Sequence, residues 1–294
     1  MSEISTAKAW VMATRPKTLT AAAVPVVVGT AVAWRAGAFE LWPALAALIG
    51  AFLIQIGTNL ANDYFDHEKG ADNEERLGPT RVVQSGLLAP EKVFRAMVAT
   101  FGAAVLVGGY LVAVAGWPIA VLGAASVASG VAYTGGPYPL GYHGLGDLFV
   151  FIFFGVVAVT GTYYVQALEW STAALVASVP VGLLSTAILV VNNYRDIDTD
   201  REAGKGTLAV RLGRRLTRVQ YVVMLVVSYL TPVAQWLTGR ADSWVLLPLL
   251  SAPLAWKLAG DLAEKRGEPL NETLERTAQL LAVFGLLYAV GIAL

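Results

Sequence analysis

Long apolar segments that recur from one end of the chain to the other limit its possible folds more than any other feature. A helix rises 1.5 Å per residue, so about 20 apolar residues cross the ~30 Å hydrocarbon layer of a bilayer. Nine runs reach or approach that length, over residues 18–34, 41–61, 93–115, 118–133, 148–168, 173–194, 219–237, 244–262 and 277–294. The fourth is the shortest. Pro25, Pro118, Pro180, Pro232 and Pro248 fall within these runs, where neighbouring helices can satisfy the carbonyls that proline frees. The mean hydropathy is +0.60 and only 14% of residues are charged, well below a soluble domain. The expected fold is all-α, a polytopic bundle of nine transmembrane helices.

The charges set an orientation. Of the 21 Lys and Arg residues, 19 lie before the first run or on alternate connections, and only Arg35 and Arg240 fall on the opposite side. The positive-inside rule therefore predicts a cytoplasmic N-terminus. Arg15 and Lys17 ahead of the first run imitate a signal peptide, but eight further spans favour a retained anchor. Basic and acidic residues balance at 21 each, and no basic patch is interleaved with aromatics, which argues against a nucleic-acid partner. With no cysteine, disulfides, thiolate nucleophiles and Cys-ligated metals are excluded.

Two inside connections begin with clusters of carboxylates and amides. In the first, Asn59, Asn62, Asp63 and Asp66 fall at i, i+3, i+4 and i+7, one face if the second span continues helically. In the second, Asn192, Asp196 and Asp200 repeat every four residues. Such oxygen-only donors suit a hard divalent ion, above all Mg²⁺, which binds through one or two carboxylates and leaves positions for substrate phosphates. Basic residues follow each cluster, Arg76, Arg81, Lys92 and Arg95 after the first, then Arg201, Lys205, Arg211, Arg214 and Arg215, and could balance a bound diphosphate. Acids at one helix end usually do no more than solvate the interface. Two clusters on one membrane side, sharing Asn-x-x-x-Asp at an offset of 130 residues, favour function, because a carboxylate within a span costs ~2.5–3.5 kcal/mol on insertion scales.

The connection 133–147 holds five Gly and two Pro, so it is no regular helix, and it carries no Lys or Arg. Tyr133, Tyr138 and Tyr142 are its candidate pocket-lining groups. His67 and His143 are too few for a histidine metal site. Trp10, Trp34, Trp42, Trp117, Trp170, Trp236 and Trp244 lie near span ends and read as interface anchors, and the mixed charges of 261–276 as a solvated connection.

Asn59-x-x-Asn62-Asp63-x-x-Asp66-x-x-x-Gly70-x-Asp72, with Arg195-Asp196-x-x-x-Asp200, resembles the paired Asp motifs of the UbiA superfamily of intramembrane prenyltransferases. Arg15-Pro-Lys-Thr18, the Gly78-to-Gly86 loop with Arg81 and Ser85, Tyr133-Thr-Gly-Gly136, Gly144-Leu-Gly-Asp147 and the stretch Gly204 to Gly213 are similar to its 1,4-dihydroxy-2-naphthoate branch. The likeness runs over nearly the whole chain. It implies a single integral-membrane domain over 1–294, with nine helices around a central pocket and two Mg²⁺ ions between the carboxylates and an allylic diphosphate. By position, Asn62, Asp63 and Asp66 would serve one ion and Asn192, Asp196 and Asp200 the other, with Asp72 a further metal candidate. Asp63, Asp66, Asp196, Asp200, Tyr138 and Tyr142 are the catalytic candidates, and Asn59, Arg81, Ser85, Tyr133, Asn193, Arg195 and Lys205 the substrate-binding ones. Many members carry Tyr-x-x-x-Lys after the fourth helix; four residues on from Tyr138 stands Tyr142, which argues against the 4-hydroxybenzoate branch.

The implied reaction moves a polyprenyl chain from its diphosphate to dihydroxynaphthoate with loss of CO₂ and diphosphate, a step of menaquinone synthesis at the bacterial inner membrane, with the active-site loops cytoplasmic. The alternatives are another aromatic acceptor, 4-hydroxybenzoate or homogentisate, and a membrane cation transporter. A transporter would place its acids near the bilayer midplane.

Overall fold

The computed structural model describes residues 4–70, 77–78 and 80–294. Asp72 and Arg76 lie outside the described residues. The described chain is helical, without a strand. A short helix α1 (Thr6–Thr14) precedes α2 (Leu19–Arg35), and α3 (Leu41–Glu68), α4 (Pro90–Ala115) and α5 (Trp117–Ala132) follow. Next come α6 (Gly146–Ala167), α7 (Thr172–Arg195), the short α8 (Ile197–Glu202), α9 (Leu208–Leu237, kinked at Gly213), α10 (Ser243–Glu264) and α11 (Leu270–Ala293).

Among the described residues, eight of these helical segments are long and apolar enough to cross a membrane, the first running from Thr6 to Arg35. The ninth expected span is α5, whose 16 residues reach only ~24 Å and fall short of a full hydrocarbon layer. Large apolar side chains cover the outside: Leu106, Val105, Leu230 and Leu286 are all more than half exposed. In water such a surface would aggregate; in lipid it is the expected one. Trp34, Trp42, Trp117, Trp170, Trp236 and Trp244 are exposed at or beside helix ends, as interface anchors should be.

Two main apolar cores hold the bundle, with a third, small cluster at Ala115, Ile119 and Val165. The larger packs α2, α6, α7, α9, α10 and α11 around Leu184, Tyr194, Tyr221, Phe284 and Tyr288. The smaller packs α1, α3, α4 and the loop after α3 around Leu60, Val82, Val83, Val93 and Phe101. Within α6 the residues Phe151–Val157 form a π-helical stretch. There Gly155 lies against Gly182 of α7: a Cβ on Gly155 would stand 2.6 Å from the Gly182 Cα and 3.1 Å from the Ser178 carbonyl oxygen. Small residues let two membrane helices approach this closely, and the wider π turn carries the contact.

A cavity of about 740 Å³ is walled by α2 to α6. Its lining is almost all Ala, Gly, Val, Ile, Leu and Phe, including Phe149, Phe153 and Phe154, while Gln55, Thr58 and Tyr133 stand among its polar groups.

Candidate active site

Both carboxylate groups stand at the C-terminal ends of long helices. Asp63 and Asp66 occupy the last two turns of α3, and Asp196 caps α7. None lies in the middle of a span, so the arrangement is unlike a midplane ion path.

Asp66 is the hub. It is 3% exposed, its Oδ2 accepts from Arg81 Nη2 at 2.8 Å and its Oδ1 accepts from the Tyr142 hydroxyl at 2.6 Å. The Lys205 ammonium, on the connection between α8 and α9, lies 4.0 Å from the same Oδ1 and 4.8 Å above the Tyr142 ring. Lys69 covers that ring from another direction at 5.4 Å, and its Nζ donates to the carbonyls of Thr134 and Gly136. Burial pushes the Lys69 ammonium below its usual pKa, against the opposing pull of Asp66. Where the family pattern has a lysine four residues after a tyrosine, this chain has two lysines from elsewhere set over Tyr142.

The other members of the first cluster meet different neighbours. Asp63, 2% exposed, accepts from the Val82 backbone N–H at 3.2 Å. Asn62 Oδ1 accepts from the Thr134 hydroxyl at 2.9 Å, which ties α3 to the Gly-rich connection. Asn59 is turned toward the start of α2, where its Nδ2 donates to the Thr14 carbonyl and the Thr18 Oγ1. The shared face holds at the backbone, yet Asn59 and Asp66 are separated by ~10 Å along the helix axis and reach separate elements.

In the second cluster the buried Arg195 forks onto its neighbour, Nε to Asp196 Oδ1 at 2.7 Å and Nη2 to Asp196 Oδ2. Two further donors go to Asn192 Oδ1 at 2.9 Å and Asn271 Oδ1 at 2.6 Å. Asn271 in turn donates to the Leu77 carbonyl, so α7, α11 and the loop after α3 are joined through one guanidinium. Asn193 is buried on α7, and Asp200 is half-buried on α8.

The connection 133–147 lies between the clusters. The Gly206 N–H donates to the Tyr142 carbonyl, and Gly144 turns beneath it at φ +74°, where a side chain would meet Arg211 and the Gly206 carbonyl. Tyr133, just past the end of α5, is fully enclosed; burial first, then the negative charges of Asp147, Asp66 and Asp200, push its hydroxyl far above the ordinary tyrosine pKa. It is neutral at physiological pH, and it feels one carboxylate from each cluster. Two candidates sit apart: Tyr138 is 57% exposed and stacks on His143 with centroids 3.6 Å apart, and the exposed Ser85 donates to the Arg81 carbonyl in its own turn.

Among the described residues, no three His, Asp or Glu side chains converge as a finished metal site. The donor set nonetheless fits a hard cation: it is all oxygen, and Asp66 and Asp196 are each matched by a buried arginine that holds positive charge where a metal or its partner would. Lys69, Gln55 and Asn271 were missed in the sequence. No local pattern marks them, since each acts on residues far away in the chain.

Comparison with known proteins agrees with this geometry. A profile of the UbiA prenyltransferase family matches residues 22–273. The chain is 41% identical to the 1,4-dihydroxy-2-naphthoate octaprenyltransferase of Escherichia coli (strain K12), over 99% of this chain and 97% of that protein. It is 43% identical to the protein of the same name from Mycobacterium tuberculosis (strain ATCC 25618 / H37Rv), over 97% and 96%. Among solved structures, a UbiA homolog from Archaeoglobus fulgidus bound to GPP and Mg²⁺ superposes with a TM-score of 0.68 at 13% identity, covering 97% of this chain and 99% of that one.

Proposed function

The chain belongs to the UbiA prenyltransferase family, and from that premise we propose that it transfers a polyprenyl chain from an allylic polyprenyl diphosphate to 1,4-dihydroxy-2-naphthoate. Diphosphate and CO₂ leave, and the product is a demethylmenaquinol. One observation carries the reading: Lys205, from the connection that follows the second cluster, meets Asp66 and Tyr142 of the first, at the polar end of an apolar cavity that Tyr133 lines. Relatives at 41% and 43% identity over nearly the whole chain support the acceptor. Residues 1–294 work as one domain in this reading, in the inner membrane, with the N-terminus and both clusters cytoplasmic by the distribution of basic residues.

Asn62, Asp63 and Asp66 would hold one magnesium ion and Asn192, Asp196 and Asp200 a second; Asp72 is a further candidate. When bound, magnesium neutralises charge on the departing diphosphate. Arg81 and Lys205 grip the diphosphate oxygens with charge-assisted hydrogen bonds. Arg195 fixes the rotamer of Asp196, and Tyr142 fixes that of Asp66. As the allylic C–O bond breaks, the cavity keeps water from the cation and takes up the isoprenoid tail, at ~0.8 kcal/mol per buried CH₂. The ring carbon bearing the carboxylate attacks, a C–C bond forms, and loss of CO₂ restores the aromatic ring. Tyr133, neutral at working pH, serves as a hydrogen-bond partner and not as an anion. Asn59, Asn193, Tyr138 and Ser85 stand outside this hub; Asn59 braces the start of α2 and Ser85 its own turn.

Purified protein supplied with magnesium, an allylic diphosphate and dihydroxynaphthoate is expected to yield prenylated product and CO₂, and chelation of the metal to abolish both. Product with 4-hydroxybenzoate and none with dihydroxynaphthoate would reverse the acceptor assignment. Tyr142→Phe is expected to lower kcat/KM about tenfold while the protein stays folded, the cost of one hydrogen bond to an ionised group; an unchanged rate would remove Tyr142 from the site.

A further inference from the structure

Gln55 stands where the apolar cavity meets the polar cluster, one turn before Asn59 on α3. It is 8% exposed and lines the cavity. Both protons of its Nε2 are committed, to Thr18 Oγ1 at 3.1 Å and to Asn59 Oδ1 at 3.2 Å. Thr18 Oγ1 also accepts from Asn59 Nδ2 at 2.9 Å and donates to the Arg15 carbonyl, so the hydroxyl has no capacity left. This network fixes the amide orientation. Turning it over would set Oε1 against the Asn59 carbonyl oxygen, acceptor against acceptor. The result is a buried Oε1 that has no hydrogen-bond partner.

A buried amide carbonyl without a donor is costly, and its retention calls for a ligand that supplies one. Of the two substrates in the reading above, on which this inference rests, the isoprenoid tail has no hydrogen-bond donor and an ionised diphosphate offers acceptors. The dihydroxynaphthoate ring carries two phenolic O–H groups on an apolar body. We propose that Gln55 Oε1 accepts a hydrogen bond from one phenolic hydroxyl of the acceptor ring, which makes Gln55 a specificity-determining residue for that substrate. The remainder of the ring lies on the small apolar side chains of the cavity wall, and the hydroxyl sets which ring edge faces the diphosphate.

The test uses the full-length protein in detergent or vesicles, with 1-hydroxy-2-naphthoate and 4-hydroxy-2-naphthoate as competitive inhibitors against dihydroxynaphthoate. In the unaltered enzyme the isomer lacking the contacted hydroxyl is expected to bind about tenfold more weakly than the other. Gln55→Leu and Gln55→Met should raise the acceptor KM about tenfold, leave the KM for the allylic diphosphate unchanged, and abolish the difference between the two isomers. A merely bracing Gln55 would give variants that weaken all three ring compounds equally, or change none, and that outcome overturns the proposal. Equal inhibition constants for the two isomers in the unaltered enzyme overturn it too, even if neither variant folds. Failure of the unaltered enzyme to prenylate dihydroxynaphthoate would count against the parent reaction instead.

Discussion

Asp66→Asn is expected to reduce prenyl transfer by about a thousandfold or more while leaving a folded, membrane-inserted protein. Asp66 gathers Arg81, Tyr142 and Lys205 onto one buried carboxylate, and in the proposed reaction it would hold a magnesium ion and position the two cations where charge builds on the leaving diphosphate. Losing a preorganised electrostatic group of this kind typically costs 10²–10³ in rate, and losing a metal ligand adds to that. The asparagine keeps the volume and one acceptor for Arg81. Asp66→Ala is the poorer probe, because it strands a buried guanidinium, and breaking a buried pair in that way costs about 3–5 kcal/mol of stability. Asp196→Asn should behave like Asp66→Asn, with Arg195 still held by Asn192 and Asn271. The check is product formation from labelled allylic diphosphate, alongside a thermal melt of the detergent-purified protein. Near-normal turnover in either variant would reduce these carboxylates to interface solvation.

The second large effect concerns stability. Gly155→Val is expected to lower stability by about 3 kcal/mol and to bring Tm down clearly. Any Cβ at Gly155 stands 2.6 Å from the Gly182 Cα and 3.1 Å from both the Gly182 nitrogen and the Ser178 carbonyl oxygen. All three are backbone atoms of α7, which carries Asn192 and is capped by Asp196, so relief requires the helices to part. Gly161→Ala is the control, since its Cβ would rest 3.6 Å from a Leu122 methyl in ordinary contact. Melting curves in one detergent compare the two; a Gly155→Val protein as stable as the parent would show that the π-helical stretch absorbs the side chain.

Much of the architecture was legible in the sequence because lipid imposes a simple requirement: a spanning helix must be apolar for its full length, and that leaves an unbroken run. The boundaries of α2, α4 and α7 follow such runs closely and the short fourth run became the short α5, whereas α3 continues seven residues past its run and α11 begins seven residues before its own, because both helices extend into polar sequence. The acidic motifs were legible for the opposite reason, since carboxylates within or against the last turns of a span are costly, and two such clusters on one membrane side stand out. Three things were not. The π-helical stretch depends on a crossing between Gly155 and Gly182, 27 residues apart, and nothing in 151–157 marks it. The convergence of Lys69 and Lys205 on the Tyr142 ring depends on how three loops stack. The i, i+4 rule placed Asn59 and Asp66 on one face, but it says nothing of the ~10 Å of height between them, which sends Asn59 to Thr18 and Asp66 to Arg81.

Asp66 and Asp196 arise from helices rooted in different cores, α3 in the smaller and α7 in the larger. In the proposed reaction a diphosphate held by both is a rivet through two plates. Its binding energy is added to their cohesion, so occupancy stiffens the whole molecule by mass action. Departure of the leaving group then severs the rivet, and turnover itself loosens the joint between the two cores.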